Sequence, residues 1–181
     1  MISNQILLAT FLDEPMFRYF RIKIPGISDA ELFLQIEETL KFLTIADQCT
    51  GAIPVSRQID KIWHYWILQT QEYMELCKLL PTGEYIHHSS NDYDRYFDPA
   101  VNERSNLSLD IKMLALYVAN FGPFEEDRIR HWLLASHLIE KCGWTVQQLN
   151  DWLAIERVSE IKETYRARPT TESIKDVSAI C

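Results

Sequence analysis

The chain has 181 residues, of which 47% are hydrophobic, 12% aromatic and 24% charged. This length suits one domain, or one domain with a tail, and so many aromatic side chains exclude a disordered chain, which has little to bury. Acidic residues outnumber basic ones by 26 to 18, so the overall field repels phosphate backbones and we expect no nucleic-acid partner. Only 5 residues are glycine, fewer than the roughly 7% of average proteins, and this scarcity favours an all-α fold over hairpin-rich β folds.

The sequence also indicates where the protein resides. No apolar run approaches the ~20 residues that cross a bilayer, and the first residues lack the basic region and cleavage site of a signal peptide. The cysteines show no paired spacing, which is typical of reduced thiols in an unsecreted chain; they are Cys49, Cys77, Cys142 and Cys181. We therefore expect a cytoplasmic protein with no membrane partner.

The first half of the chain contains one ambiguous stretch and one clear helix. Residues 1–26 carry mixed signals and receive no assignment. Ser28 and Glu31 have the spacing of a capping box, in which side chains satisfy the free amides of a first helical turn. Apolar residues then recur at helical spacing, which predicts a helix at about 29–47.

A central helix is predicted near 57–80, ended by Pro81. Its apolar residues form a stripe about 100° wide, the width of a surface that faces a core. A narrower polar line lies beside this stripe and consists of Asp60, His64, Gln71 and Glu75. Apolar residues flank the polar line on both sides, so we expect it to be partly enclosed.

The second half is predicted to be helical after a long polar loop at 81–106. Helices are expected at 107–121 and 125–142. Thr145 and Gln148 form a second capping box, which opens a last helix.

The sequence therefore predicts an all-α, single-domain bundle of about six helices. The domain is expected to span 1–168, with two sub-parts, 1–90 and 105–168, joined by the polar loop. Residues 169–181 are polar and aperiodic, which is typical of a flexible tail.

The strongest candidate for chemistry is a set of acidic and imidazole groups. Asp60 and His64 are four residues apart, so their side chains meet on one helix face. His87 and His88 follow after a turn, and the four residues together offer the three or four nitrogen and oxygen ligands that a zinc-like ion needs. Four further residues are expected to support these ligands without binding the ion themselves: Gln71, Glu75, Cys77 and Tyr85. A purely structural interpretation stays open, in which the same groups only satisfy each other's hydrogen bonds.

One part of the chain resembles a known family. The motif consists of residues 54–70, with Trp63-His64 inside them, then Tyr73 and Cys77, and then residues 83–88, which end in Ile-His-His. This pattern resembles the bacterial branch of the glycine-rich domain-containing protein-like family. The resemblance covers about residues 40–90 and implies a shared structural core without naming a reaction. Trp66 stands where plant members of that family carry a second histidine, and the glycine-rich tail that names the family is absent.

Three functions follow as hypotheses from these residues. The first is a small binding protein in which Asp60 and His64, together with His87 or His88, hold a divalent transition metal such as zinc, because adjacent histidines in extended chain point apart and usually only one of them reaches a given ion. The second is a non-catalytic interaction or adaptor protein, with a protein partner and a purely structural histidine cluster. The third is a metal-dependent hydrolase in which Asp60 or Glu75 acts as base to a bound water. No catalytic residue is assigned, and the sequence favours a protein that is not an enzyme.

Overall fold

The computed structural model of the protein describes residues 3–49, 55–88 and 99–165. These residues form helices and no strand, which confirms the predicted all-α class. The helices are α1 (Asn4–Phe11), α2 (Glu14–Lys23), α3 (Asp29–Ala46), α4 (Arg57–Ile67), α5 (Thr70–Leu79), α6 (Pro99–Phe121), α7 (Leu133–Glu140) and α8 (Val146–Tyr165), with a 3-10 turn at Ile129–His131. No helix of these described ranges has both the length and the apolar character that a bilayer span requires.

Two short helices occupy the N-terminal stretch that received no assignment. Each begins at a polar cap: the Ser3 hydroxyl accepts a hydrogen bond from the Ile6 amide at 3.3 Å, and the Asp13 carboxylate accepts one from the Met16 amide at 2.8 Å. Such caps satisfy amides that the first turn leaves free. With the division of the predicted central helix, these helices raise the number above the predicted six.

Helix α3 supplies much of the core and agrees with its prediction to one residue. The Ser28 hydroxyl accepts from the Glu31 amide at 3.2 Å, as expected for a cap. The Glu31 carboxylate contacts Gln35 and Arg130 instead of returning to Ser28, so only half of the capping box forms. The side chains at the predicted apolar positions have no exposure at all; they are Leu32, Ile36, Leu40 and Leu43.

The predicted single helix near 57–80 is wrong, because the chain breaks between α4 and α5. Leu68 ends α4 with helical angles, and Gln69 leaves the helical region with φ −94° and ψ 74°. The Gln69 carbonyl then accepts from the Tyr73 amide at 2.8 Å, which begins α5. The break changes the direction of the chain, so residues of α5 do not continue the polar line of α4.

Two further predictions in the second half need correction. Helix α6 begins at Pro99, so 99–106 are helical rather than part of the predicted loop; residues 89–98 lie outside the described ranges. The helix expected at 125–142 is instead a 3-10 turn followed by α7, because Trp132 between them is extended, with φ −120° and ψ 108°. The capping box of α8 is confirmed: the Gln148 amide donates to the Thr145 hydroxyl at 3.2 Å.

The two halves of the chain meet at a buried polar group, named here the Glu38 cluster (Glu38, Lys41, Tyr117, Arg128 and Trp132). The Glu38 side chain has no exposure and accepts from Lys41 at 2.8 Å, from Trp132 at 2.8 Å and from Arg128 at 3.3 Å. Lys41 also donates to the Tyr117 hydroxyl at 2.9 Å, which ties α3 to α6.

Three further expectations concern the domain boundaries, the C-terminal tail and the cysteines. The domain boundaries stay a prediction, and the predicted tail at 169–181 lies outside the described residues. The expectation that all four cysteines are reduced is wrong for Cys142, which is disulfide-bonded.

Candidate metal centre

Helix α4 places Asp60 and His64 at the edge of the core. The buried Ser56 caps this helix by accepting from the Ile59 amide at 3.3 Å. Ile59, Ile62, Trp63 and Trp66 are buried and fix the rotation of the helix about its axis. Asp60 and His64, one turn apart, therefore lie at the boundary between the core and solvent.

His88 reaches these two residues from the segment that follows α5. Its Nε2 lies 3.0 Å from Asp60 Oδ1, and the ring centroids of His64 and His88 are 4.2 Å apart. Asp60, His64 and His88 are named here the Asp60 cluster. One ligand atom from each member lies within 4.8 Å of the others, so the group is close enough to hold a metal ion.

The irregular segment that carries His88 is fixed at three points. The Thr82 amide donates to the Asp47 carboxylate at 2.7 Å, at the end of α3. The Tyr73 hydroxyl donates to the Ile86 carbonyl at 2.7 Å. The third point is the contact of His88 with Asp60, against the edge of the Trp63 ring at 4.5 Å between centroids.

The hydrogen bonds of the cluster leave ring nitrogens available. His64 Nδ1 lies 2.8 Å from the Asp60 backbone carbonyl, which accepts its proton and leaves the lone pair on Nε2. A hydrogen bond from one imidazole nitrogen to a carbonyl is the usual way in which proteins orient a metal-binding histidine. Within the described residues, His64 Nε2 and His88 Nδ1 have no hydrogen-bond partner.

The separations suit a small ion as well as a hydrogen bond. Ligand atoms on one tetrahedral zinc lie about 3.3 Å apart, because each is about 2.0–2.1 Å from the ion. His88 Nε2 would bind an ion in place of its hydrogen bond to Asp60 Oδ1, and these two atoms are 3.0 Å apart, close to that spacing. Half of the His64 side chain is exposed, against 22% for Asp60 and 13% for His88, so the open side of the group faces solvent at His64.

The other predicted site residues lie apart from the Asp60 cluster or contact it indirectly. His87 is exposed, and its ring contacts Tyr85 at 4.9 Å between centroids. Gln71 donates to Glu75 at 3.3 Å on the exposed face of α5. Cys77 is buried, and Tyr85 packs edge-on against Tyr73 at 5.2 Å.

Two aromatic residues of the site are not among the predicted site residues. Trp63 Nε1 donates to the Tyr73 hydroxyl at 2.9 Å, and Tyr73 in turn holds the Ile86 carbonyl. Burial raises the pKa of Tyr73 above its ordinary value, so the hydroxyl keeps the proton that it donates. The only sequence signal for these residues is their place inside the motif, where Trp63 precedes His64.

Comparison with known proteins gives no relative. No family model, no curated protein and no solved structure matches the chain. The resemblance to the glycine-rich domain-containing protein-like family therefore stays a prediction, and the function is inferred from the geometry of the site.

Proposed function

We propose that the protein binds a divalent transition metal ion through Asp60, His64 and His88. The observation that supports this proposal is the convergence of two imidazoles and one carboxylate within 4.8 Å, from α4 and a separate segment of chain. Three protein ligands leave a further position for water or another small ligand, as in open zinc sites.

The donor set favours a divalent transition metal over calcium or magnesium. Imidazole nitrogen suits zinc, copper, iron and nickel, whereas calcium and magnesium take oxygen ligands. Cys77 is buried on α5 and is not a member of the group, so no thiolate shifts the preference toward copper(I). The carboxylate of Asp60 offsets half of the charge of a divalent ion.

Titration of zinc into metal-free, tag-free protein tests the proposal, with competition by a chromophoric chelator as the measurement. We expect one zinc per chain. His88→Ala should weaken binding at least about 100-fold, more than the loss of a residue that only supports a ligand. Cobalt(II) in place of zinc should give the visible absorption of a tetrahedral site.

His87→Ala is the matched control, because this neighbouring histidine is exposed and contacts Tyr85 instead of the cluster. We expect its zinc affinity to stay within twofold of the wild type. A stoichiometry near zero, or an equal loss in both variants, would contradict the proposal.

A structural role for the cluster is the second candidate, and one contact favours it. Asp60 and His88 are already at hydrogen-bonding distance, 3.0 Å, without an ion. In that case the protein would serve as an interaction partner, and the cluster would only stabilise its fold. His88→Ala should then lower thermal stability by the same amount with and without zinc. The hydrolase hypothesis has less support, because the proposed base Glu75 is bonded to Gln71 and Asp60 is itself a ligand.

A further inference from the structure

The ligand group depends on one residue that does not touch it. His88 lies in a segment without helix or strand, after α5 has ended, so no regular hydrogen bonds determine its place. Ile86, two residues before His88, is the nearest point at which a buried side chain hydrogen-bonds to the backbone of this segment. That side chain is Tyr73.

The Tyr73 hydroxyl is used twice. It accepts from Trp63 Nε1 at 2.9 Å and donates to the Ile86 carbonyl at 2.7 Å, and the side chain has no exposure. The same Trp63 ring forms the wall against which His88 packs, at 4.5 Å between centroids. Tyr73 therefore fixes both the backbone that carries His88 and the ring behind it.

We propose that Tyr73 is the positioning residue that brings His88 to Asp60 and so allows the site to close round an ion. The inference rests on the proposed function, since the ion is the one proposed there. Because the Ile86 carbonyl is held in place, His88, two residues further on, can occupy only a small region. Metal affinity depends on such precise placement of the ligand side chains.

Tyr73→Phe removes the hydroxyl while it keeps the ring in the core. We expect zinc binding to weaken about 10- to 100-fold, the usual effect of losing a group that orients a ligand. The far-ultraviolet circular dichroism should stay unchanged. Competition titration with a chromophoric chelator measures the affinity, and thermal unfolding measures the stability.

Tyr117→Phe is the matched control, because it deletes another buried phenol hydroxyl, one that accepts from Lys41 at 2.9 Å in the Glu38 cluster. Both variants lose some thermal stability, but only Tyr73→Phe should lose zinc affinity. Where the wild type binds zinc, an equal affinity in Tyr73→Phe, or an equal loss in both variants, would overturn the positioning role.

The imidazole signals of the metal-free protein separate this inference from the proposed function. In nitrogen-15 NMR spectra, Tyr73→Phe should move the His88 signals and leave those of the exposed His137 unchanged. If the wild type binds no zinc and the His88 signals still move, the proposed function fails while the positioning of His88 by Tyr73 stands. If the His88 signals stay in place, the positioning role fails whatever the zinc result.

Discussion

The Glu38 cluster and the Asp60 cluster both surround one carboxylate with nitrogen atoms. They differ in exposure to solvent and in how many of their polar atoms lack a hydrogen-bond partner. Glu38 has no exposure, and its two oxygens accept from Lys41, Arg128 and Trp132. Asp60 is 22% exposed, and the imidazoles beside it keep ring nitrogens without partners in the described residues. A buried carboxylate with both oxygens hydrogen-bonded stabilises one arrangement of helices, whereas a partly exposed carboxylate beside imidazoles with spare lone pairs can hold a metal ion.

The largest expected effect comes from breaking the Glu38 cluster. Glu38→Gln removes the charge that compensates the buried Lys41, which then has no carboxylate partner among the described residues, whereas Arg128 keeps its ion pair with Glu37. We expect a loss of about 3–5 kcal/mol in the free energy of unfolding, as for other broken buried ion pairs. Urea denaturation followed by circular dichroism measures it.

Glu14→Gln serves as the control for that prediction. Glu14 pairs with Arg18 on α2, and both side chains are about 70% exposed, so its loss should stay within about 1 kcal/mol. Zinc affinity should be unchanged in both variants. A loss below 1 kcal/mol for Glu38→Gln would mean that the Glu38 cluster contributes no more than a surface pair.

The fold was predictable where a local signal determines it. The caps at Ser28 and Thr145 mark the beginnings of α3 and α8, because a short polar side chain satisfies the first amides of a helix. The break at Gln69 carries no glycine or proline, so no local sequence signal marks the division of the predicted central helix. The polar composition of 81–106 predicts a loop at Pro99, although proline is also favoured at the first position of a helix.

The site was predictable in its helical half only. The spacing of Asp60 and His64 fixes their contact, since residues four apart share a helix face. Adjacent histidines in extended chain point apart, so the sequence predicts that one of His87 and His88 reaches an ion without saying which. The choice of His88 follows from the bond of Tyr73 to Ile86, a contact between residues 13 apart that no spacing rule gives.

A smaller effect is expected at His131, which is buried where His64 is half exposed. It should make the stability of the protein sensitive to acid. His131 is 1% exposed and its Nδ1 has no hydrogen-bond partner among the residues that the structure describes, whereas His64 is half exposed. Burial, with help from the Arg130 charge, lowers the pKa of His131 to about 4 from an ordinary 6.5. Between these two pKa values His131 is protonated in the unfolded chain but neutral in the folded protein. The free energy of unfolding therefore falls as pH falls from 6.5 to 4.

His131→Gln should remove this dependence. We expect the wild type to lose about 1–3 kcal/mol more than the variant between pH 7 and pH 4.5, measured by urea denaturation at each pH. His137→Gln, at an exposed position, should follow the wild type. If His131→Gln keeps the full acid dependence, carboxylates rather than His131 cause it.

The smallest effect tests whether the Asp60 cluster depends on the helix that carries it. Ser56 caps α4 and Ser28 caps α3 through the same bond to the third amide, at 3.3 and 3.2 Å. Each serine to alanine change should cost about 1 kcal/mol of stability. Ser56→Ala should in addition weaken zinc binding severalfold, because fraying of the first turn of α4 moves Asp60, whereas Ser28→Ala should leave zinc affinity unchanged. An equal zinc affinity in the two variants would show that the Asp60 cluster is held by Trp63 and the segment of His88 rather than by the cap. This result would sharpen the contrast with the Glu38 cluster, in which burial fixes the partners of the central carboxylate.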